Sequence, residues 1–263
     1  VKYGVKFALL LFPLVLNAAA VADPPAWLRN AVAEKPAAFD SKTPAVYLLR
    51  ESNVSVDESG KITTTERVVM RLLNRSGLSA AHAAKFYLRD TGKVKDLKAW
   101  SLSPTGESRR LPKERFPDVA AGDDALYEDI RARIVDASKE CDPGGVFAYE
   151  SVLEEKSIFT QLEWHFSDRL PARVSRFTLT LPAGWSARAV TINHAPIQQT
   201  ESGGTQTWEL RDLPFFEGEP ASPAVESLRP RLAVSFFPAE TGKANMGPSF
   251  ALGGCFAVAE RSA

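Results

Sequence analysis

The feature that most constrains this chain is a period-two alternation of apolar and polar residues that begins near Val46 and recurs as far as Phe237. In residues 176–181 (RFTLTL), Phe177, Leu179 and Leu181 point one way and Arg176, Thr178 and Thr180 the other. Gln206, Trp208 and Leu210 share a face against Thr207 and Glu209, and Leu232, Val234 and Phe236 share another. Successive side chains of a strand leave opposite faces, so one apolar face at this period specifies half-buried antiparallel strands. Residues 61–74 (KITTTERVVMRLLN) read as a long strand rich in β-branched residues, and residues 146–154 as another. Turn chemistry separates the runs: Asp57-Glu58-Ser59-Gly60, Pro104-Thr105-Gly106, Pro182-Ala183-Gly184 and Ser202-Gly203-Gly204. The expected fold is mainly β, an antiparallel β-sandwich-like domain with a short N-terminal helix.

That helix is expected over residues 26–34 (AWLRNAVAE), after Pro24-Pro25 and before Pro36. Residues 79–85 are the other helical candidate. From Phe215 to Pro230 the chain becomes acidic and proline-punctuated, and after Pro238 it is glycine-rich and aperiodic. The expected organisation is a signal peptide at 1–22, a helical lead-in at 23–45, an antiparallel β domain at 46–237 and a loose tail at 238–263.

The leader has the three parts of a secretory signal. Lys2 and Lys6 give a basic start, residues 7–16 (FALLLFPLVL) an apolar stretch too short for a membrane span, and Ala20-Val21-Ala22 a small-residue cleavage pattern before Asp23. No Cys follows the apolar stretch, so no lipid anchor is expected. The mature protein is expected in the periplasm or outside the cell.

Charge excludes some partners. Lys+Arg and Asp+Glu are both 32, without the basic excess that nucleic acid or an anionic membrane surface would require. No stable membrane anchor is expected either, and the partner is an unidentified protein or cell-envelope component.

Thiol catalysis needs a thiolate, a histidine base and an orienting acid or amide in one site. Cys255 has no histidine after it, and Cys141 is expected to be a loop or core residue, with no disulfide between the two. His82, His165 and His194 have no metal-ligand spacing, and no C-x-x-C, P-loop or G-x-S-x-G occurs. The acid pairs Asp123-Asp124, Glu154-Glu155 and Glu217 with Glu219 read as solvated, and neighbours on a strand such as Glu154 and Glu155 leave opposite faces. Trp100, Trp164, Trp185 and Trp208 lie on strands or strand ends. Exposed in a row they would stack on sugars; buried they fill a core. No residue is assigned a catalytic, cofactor-binding or metal-binding role, and no cofactor is expected.

The order of several short motifs carries a family resemblance. They are the hairpin SVDESGKITTTERVVMRLLN, the segment AWSLSPTG running into Arg110-Leu111-Pro112-Lys113, and the loop DPGGVFAYE from Asp142 to Glu150 that opens a strand. Pro171-Ala172-Arg173-Val174-Ser175-Arg176 follows, and then Thr207-Trp208-Glu209-Leu210-Arg211-Asp212-Leu213-Pro214 before Glu219-Pro220. Together they resemble domain of unknown function 3857, the N-terminal partner of transglutaminase-like domains in exported bacterial proteins. The resemblance implies a mostly antiparallel β fold and no established catalytic residues. It also implies a following Cys, His and Asp domain, which cannot fit in residues 238–263, so a truncated gene product is expected. The leading functional expectation is therefore a non-catalytic exported β module that supports or binds a partner. The alternatives are a fragment of a cysteine transglutaminase or peptidase-like enzyme, and a carbohydrate-binding β-sandwich.

Overall fold

The computed structural model describes residues 23–34, 40, 42–121, 129–156, 160–215 and 224–238. The segment expected to be a signal peptide, Asp123-Asp124, Glu217, Glu219, Cys255 and the tail from residue 239 lie outside the described residues.

The alternating runs form strands. In chain order they are β1 (Ala45–Val56), β2 (Lys61–Leu72), β3 (His82–Leu88), β4 (Gly92–Leu102), β5 (Ser108–Arg110), β6 (Asp118–Ala120) and β7 (Ile130–Asp136). Then come β8 (Val146–Lys156), β9 (Gln161–His165), β10 (Ala172–Thr180), β11 (Trp185–Ile192), β12 (Thr200–Ser202), β13 (Thr205–Leu213) and β14 (Arg231–Pro238). Helix α1 spans Ala26–Ala33 and a short α2 spans Val225–Leu228, within the acidic, proline-punctuated stretch.

One eight-stranded sheet runs β12-β13-β10-β1-β2-β8-β4-β5, and two three-stranded sheets run β11-β14-β9 and β3-β7-β6. Pairing is antiparallel except at the centre of the large sheet, where β1 and β10 run parallel. The sheets are otherwise antiparallel, as expected, and this pair is the exception among the described residues. Period two fixes which face a residue takes, and says nothing about the direction of the neighbouring strand.

Both small sheets cover the same face of the large one. A register shift between Tyr47 and Leu49 makes this possible, because an extra residue reverses which side chains point inward. Ala45 and Tyr47 face inward before the shift, and Val54 and Val56 after it. One core cluster joins Val68, Met70, Leu72, Phe147 and Tyr149 to Ala83 and Val135 of the β3-β7-β6 sheet. A second joins Val54, Ile62, Phe177, Leu179 and Trp208 to Leu232, Val234 and Phe236 of β14. On the opposite face α1 lays Leu28 and Ala31 on Val46, Leu48, Val69 and Trp100, and Trp27 meets Trp100 edge to face at 5.7 Å.

Residues 79–85 do not form an α-helix. A 3₁₀ turn, Arg75–Ala80, is capped by Asn74, whose side chain accepts from Gly77 N. The alanine-rich run that follows pairs with β7 from His82 to Leu88, so strand pairing overrides helix propensity. Gly77 packs against the backbone before β1: a Cβ there would lie 2.0 Å from Pro44 O. Gly77→Ala is expected to lower stability by about 1–3 kcal/mol, since backbone must move. A urea melt unchanged by the substitution would contradict this packing.

Candidate functional site

Between the two core clusters, on the inner face of the large sheet, the strands present polar residues. Glu66 of β2 sits directly opposite Ser52 of β1. Its carboxylate pairs with Lys85 of β3 and accepts from the Tyr149 hydroxyl at 2.9 Å. Burial would raise its pKa, but the Lys85 charge and the Lys85 and Tyr149 hydrogen bonds outweigh that and hold it below the ordinary carboxylate range. The Tyr149 hydroxyl is pushed well up by burial and by the Glu66 charge.

A second knot adjoins it. Arg50 of β1 donates to the carbonyls of His165 at 3.2 Å and Phe166 at 3.3 Å, and its guanidinium lies over the rings of Tyr47 and Trp164. Asp168, in the loop after β9, accepts from the Tyr47 hydroxyl at 3.2 Å and faces Arg50 and Arg229 at 3.8 and 3.6 Å. Trp164 Nε1 donates to Ser175 Oγ at 3.2 Å. Apart from Arg50 over Tyr47 and Asp168 with Arg229, these contacts join a small sheet, or its loops, to the large sheet. His165 is half-buried, and burial lowers its pKa against the opposing pull of Glu163, 3.6 Å away.

The outer face carries a different pattern. Six strands contribute one residue each to a single cross-strand row: Lys98, Glu150, Arg67, Glu51, Arg176 and Glu209. The signs alternate along the whole row, with contacts of 3.4, 2.8, 3.4, 2.9 and 2.6 Å between neighbours. Isolated surface pairs contribute little, but a row in which each charge has neighbours of opposite sign fixes register across strands remote in sequence. Above it lie two rows of short polar side chains: Thr65, Asn53, Thr178, Thr207 and Thr200, and then Thr63, Ser55, Thr180, Thr205 and Ser202. The sequence places these residues on outward positions but gives no sign that they fall in line, because registry between distant strands is not written in any one strand.

The chemistry candidates fall as follows. Cys141 is buried, and burial pushes its thiol up to about 11, although Ser101 opposes. A thiol so placed is mostly protonated at neutral pH and a poor nucleophile. Iodoacetamide at pH 8 is expected to label it slowly in the folded protein and fast in urea. Equal rates would place the thiol at the surface. His82 and His194 are exposed, each with Nδ1 against a nearby carbonyl, of Ser79 and Ala195. Glu154 turns outward to Lys61 and Lys95, and Glu155, on the opposite side of β8, is pushed up by burial. Among the described residues no three metal-ligating side chains converge. The tryptophans form no exposed row: Trp208 and Trp100 are buried, and Trp164 and Trp185 pack against the second core cluster. Among the described residues, Arg115, Asp136, Lys139 and Glu140 line a shallow cavity of about 230 Å³, and Arg173, Asp212 and Phe215 line another of similar size.

A large mixed sheet with two small sheets laced to one face by buried polar contacts defines the class: a mostly β protein with a polar seam between two cores. The chain belongs to the Domain of Unknown Function with solved structure family, DUF3857, whose profile matches residues 58–217. No curated protein matches the chain. Among solved structures it is similar to a "putative protease" from Parabacteroides distasonis, with a TM-score of 0.65, 16% identity, and coverage of 74% of this chain and 41% of that one. It also aligns with yeast LTA4 hydrolase bound to bestatin (TM-score 0.37, 9% identity, 80% and 33% coverage). A third alignment is with an M1 zinc metallopeptidase from Deinococcus radiodurans (TM-score 0.33, 11% identity, 74% and 42% coverage). The chain thus spans less than half the length of each of these proteins. The first similarity shows a shared fold.

Proposed function

We propose that the protein is a non-catalytic β module, exported from a bacterial cell, that supports or binds a partner: a transglutaminase-like domain or another protein of the cell envelope. One observation carries this reading. The interior acids, bases and phenols, Glu66, Lys85, Tyr149, Arg50, Tyr47 and Asp168, are spent on one another across sheet boundaries. Groups used in that way stiffen a scaffold. The length relation agrees with it, since the Parabacteroides protein holds this fold as 41% of a longer chain. The peptidase-like alternative needs an activated thiol, and the raised pKa of Cys141 weighs against it.

The test is enzymatic. The purified chain is expected to incorporate no amine into casein and to cleave no peptide above background. Turnover that disappears in Cys141→Ala would overturn the non-catalytic reading. Export is tested separately: expressed with its own leader, the protein is expected to begin at Asp23 by N-terminal sequencing. A cell-associated product still beginning at Val1 would refute cleavage after Ala22.

A further inference from the structure

Natural sheets blunt their edges, because a row of unpaired N–H and C=O groups is a template for another strand. In this protein several edges are visibly closed. β12, β5 and β6 are three residues long. The carbonyl of His165, on the edge strand β9, is taken by Arg50. β3 lies against β4 and β8. β11 differs. It is eight residues long, pairs with β14 without a register shift from Trp185 to Ile192, and contains no proline. Its one charged residue is Arg188, and Val190 is 60% exposed.

The direction of its free backbone groups follows from its neighbour. Phe236 N donates to Thr160 O, and Phe166 N donates to Pro230 O. The even residues of β14 therefore turn towards β9, and the odd ones, Ala233, Ser235 and Phe237, towards β11. Their register partners Val190, Arg188 and Ser186 complete that ladder. The groups of Trp185, Ala187, Ala189 and Thr191 then point away from the sheet. Trp185 N closes a turn to Pro182 O, which leaves its carbonyl, and Thr191 is screened by the loop whose Ile197 N donates to Thr191 Oγ1. Among the described residues, the open template is Trp185 C=O together with both groups of Ala187 and Ala189.

We propose that this edge pairs with the same edge of a second copy of the chain. A twofold axis normal to the sheet keeps each residue on its own face, so the axis must pass through a residue rather than between two. At Arg188 it would set arginine against arginine. At Ala187 it sets Ala187 against its counterpart, Trp185 C=O against Ala189 N–H of the second copy, and Arg188 against Ser186. Small side chains at Ser186, Ala187 and Ala189 allow the close approach. The Arg188 guanidinium lies over the Phe237 ring, on the β14 side and away from the axis. The balanced charge of the chain adds no net repulsion. A contact of one short strand is below the area of a stable interface, so the dimer is reversible and concentration-dependent.

Sedimentation velocity on the full chain over a wide concentration range is expected to show a monomer–dimer shift. Ala187→Pro removes an outward N–H and no bond to β14, as does Ala189→Pro. Both variants are expected to keep the wild-type melting temperature and to stay monomeric. Hydrogen exchange at the Ala187 and Ala189 amides is expected to slow at high concentration in the wild type. A wild-type protein that is monomeric up to its solubility limit, or a folded proline variant that dimerises as the wild type does, overturns the proposal.

Discussion

Trp208→Ala is expected to lower unfolding stability by about 3–5 kcal/mol, the range for emptying a large aromatic site in a core that relaxes only in part. Trp208 is 2% exposed. Its ring lies 6.0 Å from that of Phe177, in the cluster that fastens β14 to the large sheet. The cavity would open where the β11-β14-β9 sheet is held, so the loss falls on the docking of that sheet as well as on local packing. Urea melts measure it through a lower midpoint at unchanged slope. Val190→Ala, on the open face of β11, is the control and is expected to change stability by no more than about 0.5 kcal/mol. A Trp208→Ala loss as small as that of the control would mean that the second cluster does not hold the sheet.

Glu66→Leu is expected to cost about 3 kcal/mol, because it strands the Lys85 ammonium in the seam between the two cores. Both side chains are more than three-quarters shielded, at 24% and 16% exposure for Glu66 and Lys85. The cost therefore comes chiefly from the unpaired charge rather than from a lost attraction. The double variant Glu66→Leu/Lys85→Met is expected to recover most of it, since an apolar pair of similar volume often matches a buried ion pair. A double variant as weak as the single one would show that the shape of the seam, and not its charge, sets stability. The pH dependence has a definite sign. The Glu66 carboxyl titrates below its ordinary range in the folded state. Its contribution is present above the ordinary carboxylate pKa and is lost as pH falls through the lowered value. Glu66→Gln should lack that part of the acid limb.

The strands were legible because their local pattern is strong. Phe177 and Leu179 against Thr178 and Thr180 leave one reading, and the Asp57-to-Gly60 hairpin joins β1 to β2 where its turn residues place it. The family was legible from motif order, and its profile matches residues 58–217, most of the stretch those motifs span. What the sequence hid was long-range. Alternation gives a face and no neighbour, so the parallel partner of β1 could not be read from either strand. Glu66 closes the run Thr63-Thr64-Thr65-Glu66 and looks like a solvated member of it. Its place on the inner face with Ile62, Val68 and Met70, and the approach of Lys85 from another sheet, make it an interior residue. His82 to Lys85 looked helical because alanine favours helix, and only the pairing of β3 with β7 decides otherwise. The charged row was hidden for the same reason: Glu51 and Arg176 meet across the parallel pair.

The parallel pairing of β1 with β10 also sets an order of events. β1 can close its hairpin with β2 as soon as Leu72 has been made, but its other neighbour begins at Ala172. Pairing across so long a loop is entropically slow. During synthesis, one edge of β1 therefore stays open while the intervening hundred or so residues emerge. This is a hazard as well as a timetable: the half-made sheet is most exposed to wrong partners until β10 arrives to close that edge.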